Sequence, residues 1–250
     1  MAMAALDSRR SALDLPPPYA LVTLRESGDA FDHACRIAGE AGAGTLVWVR
    51  RFDLVEFAVV LEPEEPLRSA RSAFFCGMNA LADAIAAHCP PEREIAFDWP
   101  GTILFNGACM GGGRLGWPKR CPEDKVPDWL VFSAMITAAW VGMADPGLMP
   151  TATSLEEEGF ETSDPAALVE TFARYLMLSF DTLSVRGFAP VAESYLGRLP
   201  VREAGERRRI DQNGDLLIRR NGQQGTERFP LLSGIEQPAW LDPKTGMPKV

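Results

Sequence analysis

The sequence predicts an α+β fold, in which a mixed and mostly antiparallel sheet carries helices and is followed by a small C-terminal β appendage. Apolar runs flank Asn106-Gly107, and such a pair is the strongest short-range indication of a β-hairpin. Between residues 19 and 200, β-branched runs alternate with apolar residues at helical spacing. From Val201 the pattern changes to short hairpins. We therefore expect a tail at 1–18, a main domain at 19–200 and a small β domain at 201–250.

The first half of the main domain is predicted to run strand, helix, hairpin, helix. Asp29 is a preferred N-cap residue and precedes a periodic apolar stretch, so a helix is expected from there to about Glu40. Pro90-Pro91 ends the next helix, because proline cannot continue the helical hydrogen-bond ladder. The other expected elements are strands at Tyr19–Leu24, Thr45–Val49 and Phe57–Leu61, and a helix at Ser69–His88.

The second half is predicted to add three strands, two helices and the appendage. Phe97–Leu115 is expected to form a strand–turn–strand block, and Trp129–Ala138 a further buried strand. Asp164 is expected to cap a long helix, and Gly187 to separate it from a short one. Loops are expected at 117–128 and 145–163, and the appendage opens with a hairpin that turns at Asn213-Gly214.

Composition narrows the classes of function. The chain has 250 residues and a net charge of −9, which argues against a nucleic-acid partner because phosphate contacts need clustered Lys and Arg. Its five cysteines show no metal-ligand spacing, so no metal site is predicted. No stretch approaches 18 apolar residues, so no membrane span is expected. A cytoplasmic protein with reduced thiols follows, and the oligomeric state stays open.

Three stretches resemble the biotin and lipoate protein ligases, in the same order along the chain. Asp98-Trp99-Pro100, the Asn106-Gly107 turn and the glycine-rich strand after it resemble a family block with a Lys-Trp-Pro-Asn-Asp strand, an Asn-Gly turn, a lysine and an Ala-Gly strand. Gly44–Val49 resembles the Gly-Thr-Val-Val strand before the family's nucleotide loop. Leu168–Leu199 resembles the two helices, joined by a Gly-Phe-x-Pro turn, that end the family's catalytic domain.

The resemblance covers residues 19 to about 220 and implies both a fold and an activity. It implies the class II synthetase-like catalytic domain of the biotin/lipoate ligases. It also implies an enzyme that attaches or transfers biotin, lipoate or a related carboxylic acid to a lysine of a carrier protein. ATP and Mg²⁺ would be its cofactors if it is active. A small carboxylic acid and a biotinyl or lipoyl carrier domain would be its partners.

The chain departs from the family where the chemistry is carried out. The family's arginine- and glycine-rich loop is missing or reduced to Arg50-Arg51. Asp98 stands where the family has the lysine before Trp-Pro, and Cys109 where it has the lysine that contacts the activated carbonyl. Ser133–Thr137 replaces a Gly-x-Gly-Ile-Asn strand. Each lost cation removes roughly 3 kcal/mol of transition-state stabilisation, by analogy with oxyanion-hole deletions. A second hypothesis is therefore an inactive relative that binds a small acid or a carrier domain.

A ligand site is predicted around Arg114, in a cleft between Gly111–Leu115 and Trp129–Thr137. Arg114 and Arg51 would hold an anionic group bidentately. The glycines, Gly111 and Gly112 among them, weaken a strand unless something approaches its backbone closely. The alternatives are an Arg114 that points to solvent or pairs with an acid such as Asp98, and an Arg51 in a solvated turn.

Four other candidates each have a structural alternative. Cys109 is a candidate nucleophile for thioester transfer, but it equally fits a buried, inert thiol. Ser133 and Met135 are expected to narrow the inherited substrate pocket, unless backbone shifts restore its volume. Trp99 is a candidate substrate contact or an ordinary core residue.

Overall fold

The computed structural model describes residues 13–141, 151–160, 164–222 and 225–249. The ten strands are β1 Ala20–Leu24, β2 Thr45–Val49, β3 Leu54–Leu61, β4 Ile95–Asp98, β5 Thr102–Phe105, β6 Ala108–Gly116, β7 Leu130–Thr137, β8 Arg207–Ile210, β9 Leu216–Arg219 and β10 Glu227–Phe229. The six helices are α1 Ala30–Ala41, α2 Leu67–Ala70, α3 Ala73–His88, α4 Pro165–Arg186, α5 Phe188–Gly197 and α6 Leu231–Glu236.

Seven strands form the main sheet in the order β1-β2-β3-β7-β6-β5-β4. Only the β1–β2 pair is parallel, and the other five pairs in this sheet are antiparallel. The last three strands form a separate antiparallel sheet in the order β10-β9-β8. The predicted α+β fold, with a mostly antiparallel sheet and a small C-terminal β unit, is confirmed.

The two faces of the main sheet carry different cores. Helices α3 and α4 pack on one face, where Phe132 stacks on Phe172 with ring centroids 5.7 Å apart. Helix α1 covers part of the other face, where Ala34 packs with Val47 and Val131 in a smaller cluster. We call the second face the α1 face. Helix α1 contacts β2, β3 and β7 on this face.

Local sequence chemistry sets several element ends as predicted. Asp29 caps α1, since its carboxylate accepts a hydrogen bond from the Asp32 amide, and Asp164 caps α4 in the same way through Ala166. Asn106 and Gly107 both have positive φ, at 49° and 86°, as a tight hairpin turn between β5 and β6 requires.

Two segments differ from the sequence prediction, and part of a third lies outside the described residues. The helix expected at Ser69–His88 is two helices, α2 and α3, interrupted at residues 71–72. The first run of the predicted strand–turn–strand block is itself a hairpin, because residues 99–101 turn the chain between β4 and β5. Residues 145–150 and 161–163 of the loop predicted at 145–163 lie outside the described residues.

Part of the predicted N-terminal tail packs on the main domain. Leu13 is buried in the larger core, and the Asp14 carboxylate lies 2.8 Å from Arg174 of α4. The division of the chain at residues 18 and 200 stays a prediction. In the described ranges, no helix is long and apolar enough to cross a membrane.

Candidate functional site

Strand register places most of the predicted site residues on the α1 face. Residues directly opposite each other in an antiparallel ladder project to the same face. Gly116 is opposite Val131, and Val131 packs against α1. Side chains alternate between the two faces along a strand, so the residues two and four positions from Gly116 in β6, or from Val131 in β7, lie on the α1 face. The residues that share it are Gly112 and Arg114 in β6, Ser133 and Met135 in β7, and Glu56 in β3, which is opposite Met135.

The predicted cleft does not lie between the two strands. Gly111–Gly116 and Val131–Ile136 are hydrogen-bonded neighbours, so no gap separates β6 from β7. A groove described below opens instead above the sheet, on the α1 face. The predicted cleft between the two strands is therefore wrong. The order of two strands along the chain does not show whether they are neighbours in the sheet.

The three consecutive glycines of β6, Gly111 to Gly113, are each required by the chain itself. Gly111 has a φ of 140°, and a Cβ there would collide with the carbonyl oxygen of Met135. A Cβ on Gly113 would lie 2.6 Å from the Met78 sulfur. A Cβ on Gly112 would collide first with the carbonyl oxygen of Gly101 and would lie 2.5 Å from the indole of Trp240. The close approach that the sequence predicts is made by the backbone of Gly101 and Met135 and, at Gly112, also by the side chain of Trp240. Ligand contact at Gly111 and Gly112 stays a prediction.

Trp240 belongs to a segment, residues 237–249, that we call the C-terminal strap. After the small sheet, α6 packs on the main sheet, where Gly234 lies against the ring of Pro100. The Trp240 side chain is 2% exposed, and its indole N–H donates to the carbonyl of Gly113 at 3.3 Å. The Lys249 amide donates back to the Trp240 carbonyl at 2.7 Å, so the strap closes on itself. Sequence analysis placed this segment only as the end of the appendage.

Arg114 is held under α1 and is 14% exposed. Its guanidinium carbon lies 4.0 Å from the centre of the Phe31 ring. Its Nη2 atom donates to Oδ1 of Asp29 at 3.4 Å, which is long for a charged hydrogen bond. Its Nε atom is buried and meets no acceptor among the described residues. Burial lowers the pKa of Arg114, and the charge of Asp29 opposes that shift.

A groove of about 890 Å³ opens beside Arg114. Helix α1, the end of β6 and the C-terminal strap form its walls. It holds three cations and two carboxylates, together with aromatic rings that give it apolar surface. The cations are Arg36, Arg114 and Lys119, the acids are Asp32 and Glu236, and the rings are Phe31, Trp117 and Trp129.

Arg51 lies near the same face but is neutralised. Its guanidinium makes two hydrogen bonds to the Asp53 carboxylate, at 2.7 and 2.6 Å, and its Nη1 atom lies 3.7 Å from Glu56. The hydrogen bonds with Asp53 raise the pKa of Arg51. Glu56 is buried, which raises its pKa, and it also accepts a hydrogen bond from the first amide of α1. The predicted ligand site requires the guanidinium of Arg51 to be free to bind an anionic group. That guanidinium already has two acidic partners.

Cys109 shows no sign of activation. Burial is the main cause that raises the pKa of its thiol, and the charge of Lys249 opposes this shift. Both histidines are engaged elsewhere: His88 contacts Thr171 at 2.8 Å, and His33 lies 3.5 Å from Arg36. A nucleophilic thiol needs a cation or a base to hold the thiolate. The arrangement is typical of a neutral thiol.

The remaining candidates have structural contacts. Ser133 is buried, and its hydroxyl donates to the carbonyl of Phe57 at 2.9 Å. Met135 is also buried, on the same face. Trp99 packs against Phe75 of α3 and Tyr195 of α5, with ring centroids 6.2 and 5.9 Å away. Trp99 therefore packs against the helices of the opposite face and is not brought together with Arg114.

The fold and the glycine-rich strand define a ligase-like α+β domain. Residues 15–197 match the family model described as the biotin/lipoate A/B protein ligase family. The chain belongs to that family. A search of proteins with curated functions gives no significant match.

Solved structures agree with this assignment. A biotin protein ligase-like protein of unknown function from Silicibacter is 26% identical, with a TM-score of 0.74 over 89% of this chain and 98% of the other. The Aquifex aeolicus biotin protein ligase in complex with biotin and ATP is 13% identical, with a TM-score of 0.60 over 84% and 94%. The Leishmania major enzyme with biotinyl-5-AMP is 16% identical, with a TM-score of 0.51 over 86% and 99%.

Proposed function

We propose that this family member binds a small organic carboxylic acid in the groove beside Arg114 and does not ligate it at the expense of ATP. The observation that carries the proposal is the guanidinium of Arg114. It lies almost buried on the family's glycine-rich strand, at the edge of the 890 Å³ groove, and its described hydrogen-bond partner is a single carboxylate at a long distance.

The electrostatics of Arg114 favour an anionic ligand. A buried charged group whose donors are not fully satisfied is destabilised by about 1–3 kcal/mol or more. Asp29 satisfies the charge only in part, because its carboxylate also caps α1 through the Asp32 amide. A ligand carboxylate can accept two parallel N–H bonds from a guanidinium. The rings of Phe31, Trp117 and Trp129 in the groove suit the hydrocarbon part of such an acid.

Three observations argue against ATP-driven ligation. The family's lysine positions carry Asp98 and Cys109, and Arg51, one of the two arginines left of the family's loop, is paired with Asp53. Burial raises the pKa of Cys109, which disfavours a thioester route. The Trp240 indole occupies the sheet face above Gly112. We infer that the indole narrows the space for an acyl-adenylate, whose formation also needs the missing positive charge.

Binding of acids tests this function directly. We expect at least one of octanoate, lipoate, biotin and benzoate to bind saturably by calorimetry, while its uncharged amide does not. In Arg114→Ala, affinity for that acid should fall about 10- to 150-fold, the loss of one charge-assisted interaction of about 1.5–3 kcal/mol. Arg114→Lys should give an intermediate affinity, because it keeps the positive charge but loses the paired N–H donors of the guanidinium.

Arg198→Ala is a matched control for that loss. Arg198 is also largely buried, lies 5.9 Å from the centre of the Phe97 ring and pairs with one aspartate, Asp83, away from the groove. Its replacement should leave the affinity for the acid unchanged. Equal affinity of wild type and Arg114→Ala, or no binding of any acid, would contradict the proposed function.

One observation favours ligation as a second candidate. The charge of Lys249 acts on Cys109, which stands where the family carries a lysine. The C-terminal strap therefore brings a cation near the position that lost one. In that case, activation of an acid by ATP would depend on Lys249, and Lys249→Ala would abolish it.

A further inference from the structure

Three arginines of β8 and β9 share the outer face of the small C-terminal sheet, and Arg228 of β10, opposite Leu217, lies on the same side. Arg207 and Arg209 alternate along β8, and Arg207 is directly opposite Arg219 in β9. All three are exposed, whereas Arg208 and Ile218 between them are partly or fully buried on the inner side. We call Arg207, Arg209 and Arg219 the arginine face.

The arginine face has no acidic partner in the part of the chain that the structure describes. Other arginines of the same unit do: Arg208 pairs with Glu206, Arg220 with Glu203 and Glu227, and Arg228 with Asp211 and Asp215. The chain carries 34 acidic residues against 25 basic ones, so acids are not scarce. Within the C-terminal unit, the arginine face therefore differs from the ion-paired arginines around it.

This arrangement is unfavourable without a counter-charge. Like charges directly opposite each other in an antiparallel pair destabilise a sheet. A small cavity of about 250 Å³ lies among these side chains, lined by Arg207, Arg209, Arg219, Arg208, Leu217 and Thr226. It is smaller than a typical pocket for a whole small molecule, which is roughly 300–1,000 Å³. It suits one compact anionic group.

We propose that the arginine face is a phosphate-binding site, distinct from the groove beside Arg114. Guanidinium groups match the oxygens of a phosphate with paired N–H donors, and several of them can surround one dianion. A phosphate group would relieve the repulsion between Arg207 and Arg219 and would occupy the small cavity. The ligand is inorganic phosphate or the phosphate group of a small phosphorylated molecule.

Phosphate titration into the full chain tests the site. The probe is inorganic phosphate at constant ionic strength, followed by calorimetry and by the midpoint of thermal unfolding. We expect saturable binding and a rising midpoint with phosphate, and a much weaker response to acetate. Arg207→Gln/Arg219→Gln should weaken phosphate binding at least 10-fold. Arg93→Gln/Arg186→Gln removes two exposed arginines elsewhere and should leave binding unchanged.

A second arm separates a phosphate site from arginines that only stabilise the fold. In phosphate-free buffer, Arg207→Gln/Arg219→Gln should unfold at the same or a higher temperature than wild type, because the substitution removes a repulsion and keeps most of each side chain. A lower midpoint without phosphate would overturn the proposal, as would non-saturable binding or equal responses to acetate and phosphate. If glucose 6-phosphate binds as well as inorganic phosphate, the site accepts phosphate monoesters. If it does not, the ligand is the free ion.

Discussion

Replacing Trp240 with alanine is expected to lower the free energy of unfolding by about 3–5 kcal/mol, the range for large-to-small substitutions of buried aromatic residues. Trp240 is 2% exposed and covers Gly112, so its truncation would leave a cavity against the sheet. The indole hydrogen bond to Gly113 would be lost as well. Denaturant unfolding, followed by circular dichroism, measures the change.

Two other substitutions calibrate that loss. Trp240→Phe keeps most of the ring and should lose about 1–2 kcal/mol, since it removes the indole N–H and some volume. Trp140→Ala removes a tryptophan that is only partly buried and bonds to Glu157, so its effect should be small. If Trp240→Ala lost less than about 1 kcal/mol, the C-terminal strap would not be a fixed part of the folded core.

Gly111→Ala is the second substitution with a large expected effect, a loss of roughly 3–5 kcal/mol. Gly111 has a φ of 140°, which a residue with a Cβ adopts only under strain of about 1–3 kcal/mol. The new Cβ would also collide with the Met135 carbonyl in the neighbouring strand, and such overpacking adds about 1–3 kcal/mol. Thermal or denaturant unfolding of the ligand-free protein measures the loss.

The result at Gly111 distinguishes two reasons for a glycine there. If the chain itself requires it, stability falls without any ligand. If only a ligand required it, stability would hold and acid binding alone would suffer. Gly197, at the end of α5, is the matched control, because a Cβ there meets nothing within 4 Å. Gly197→Ala should be neutral or slightly stabilising in a helix.

Local chemistry explains why much of the fold could be predicted from the sequence. Asn106-Gly107 determines a hairpin, and Asp29 and Asp164 cap their helices, through interactions that span only a few residues. The break at residues 71–72 was missed because apolar periodicity continues across it. The periodicity of apolar residues shows which face of a helical segment is buried, but it does not show a single irregular turn within that segment.

The site depends on contacts that are distant in sequence, and there the prediction was incomplete. Arg114 pairs with Asp29, 85 residues away, whereas only an acid near it in sequence, Asp98, was considered. The indole of Trp240 meets the carbonyl of Gly113 across 127 residues. The unusual run of glycines did indicate a close approach to the strand. That Trp240 is one of the groups that make the approach follows only from the return of the C-terminal strap to the α1 face.

ATP–pyrophosphate exchange tests most directly the claim that this family member binds an acid without activating it. Exchange is measured with biotin, lipoate and octanoate, beside an active biotin protein ligase as the positive control. We expect the rate of exchange to stay at the background level with every acid, including the acid that binds through Arg114. Exchange that depends on one acid and is abolished in Lys249→Ala would contradict this account and would assign ligation to a site rebuilt by the C-terminal strap.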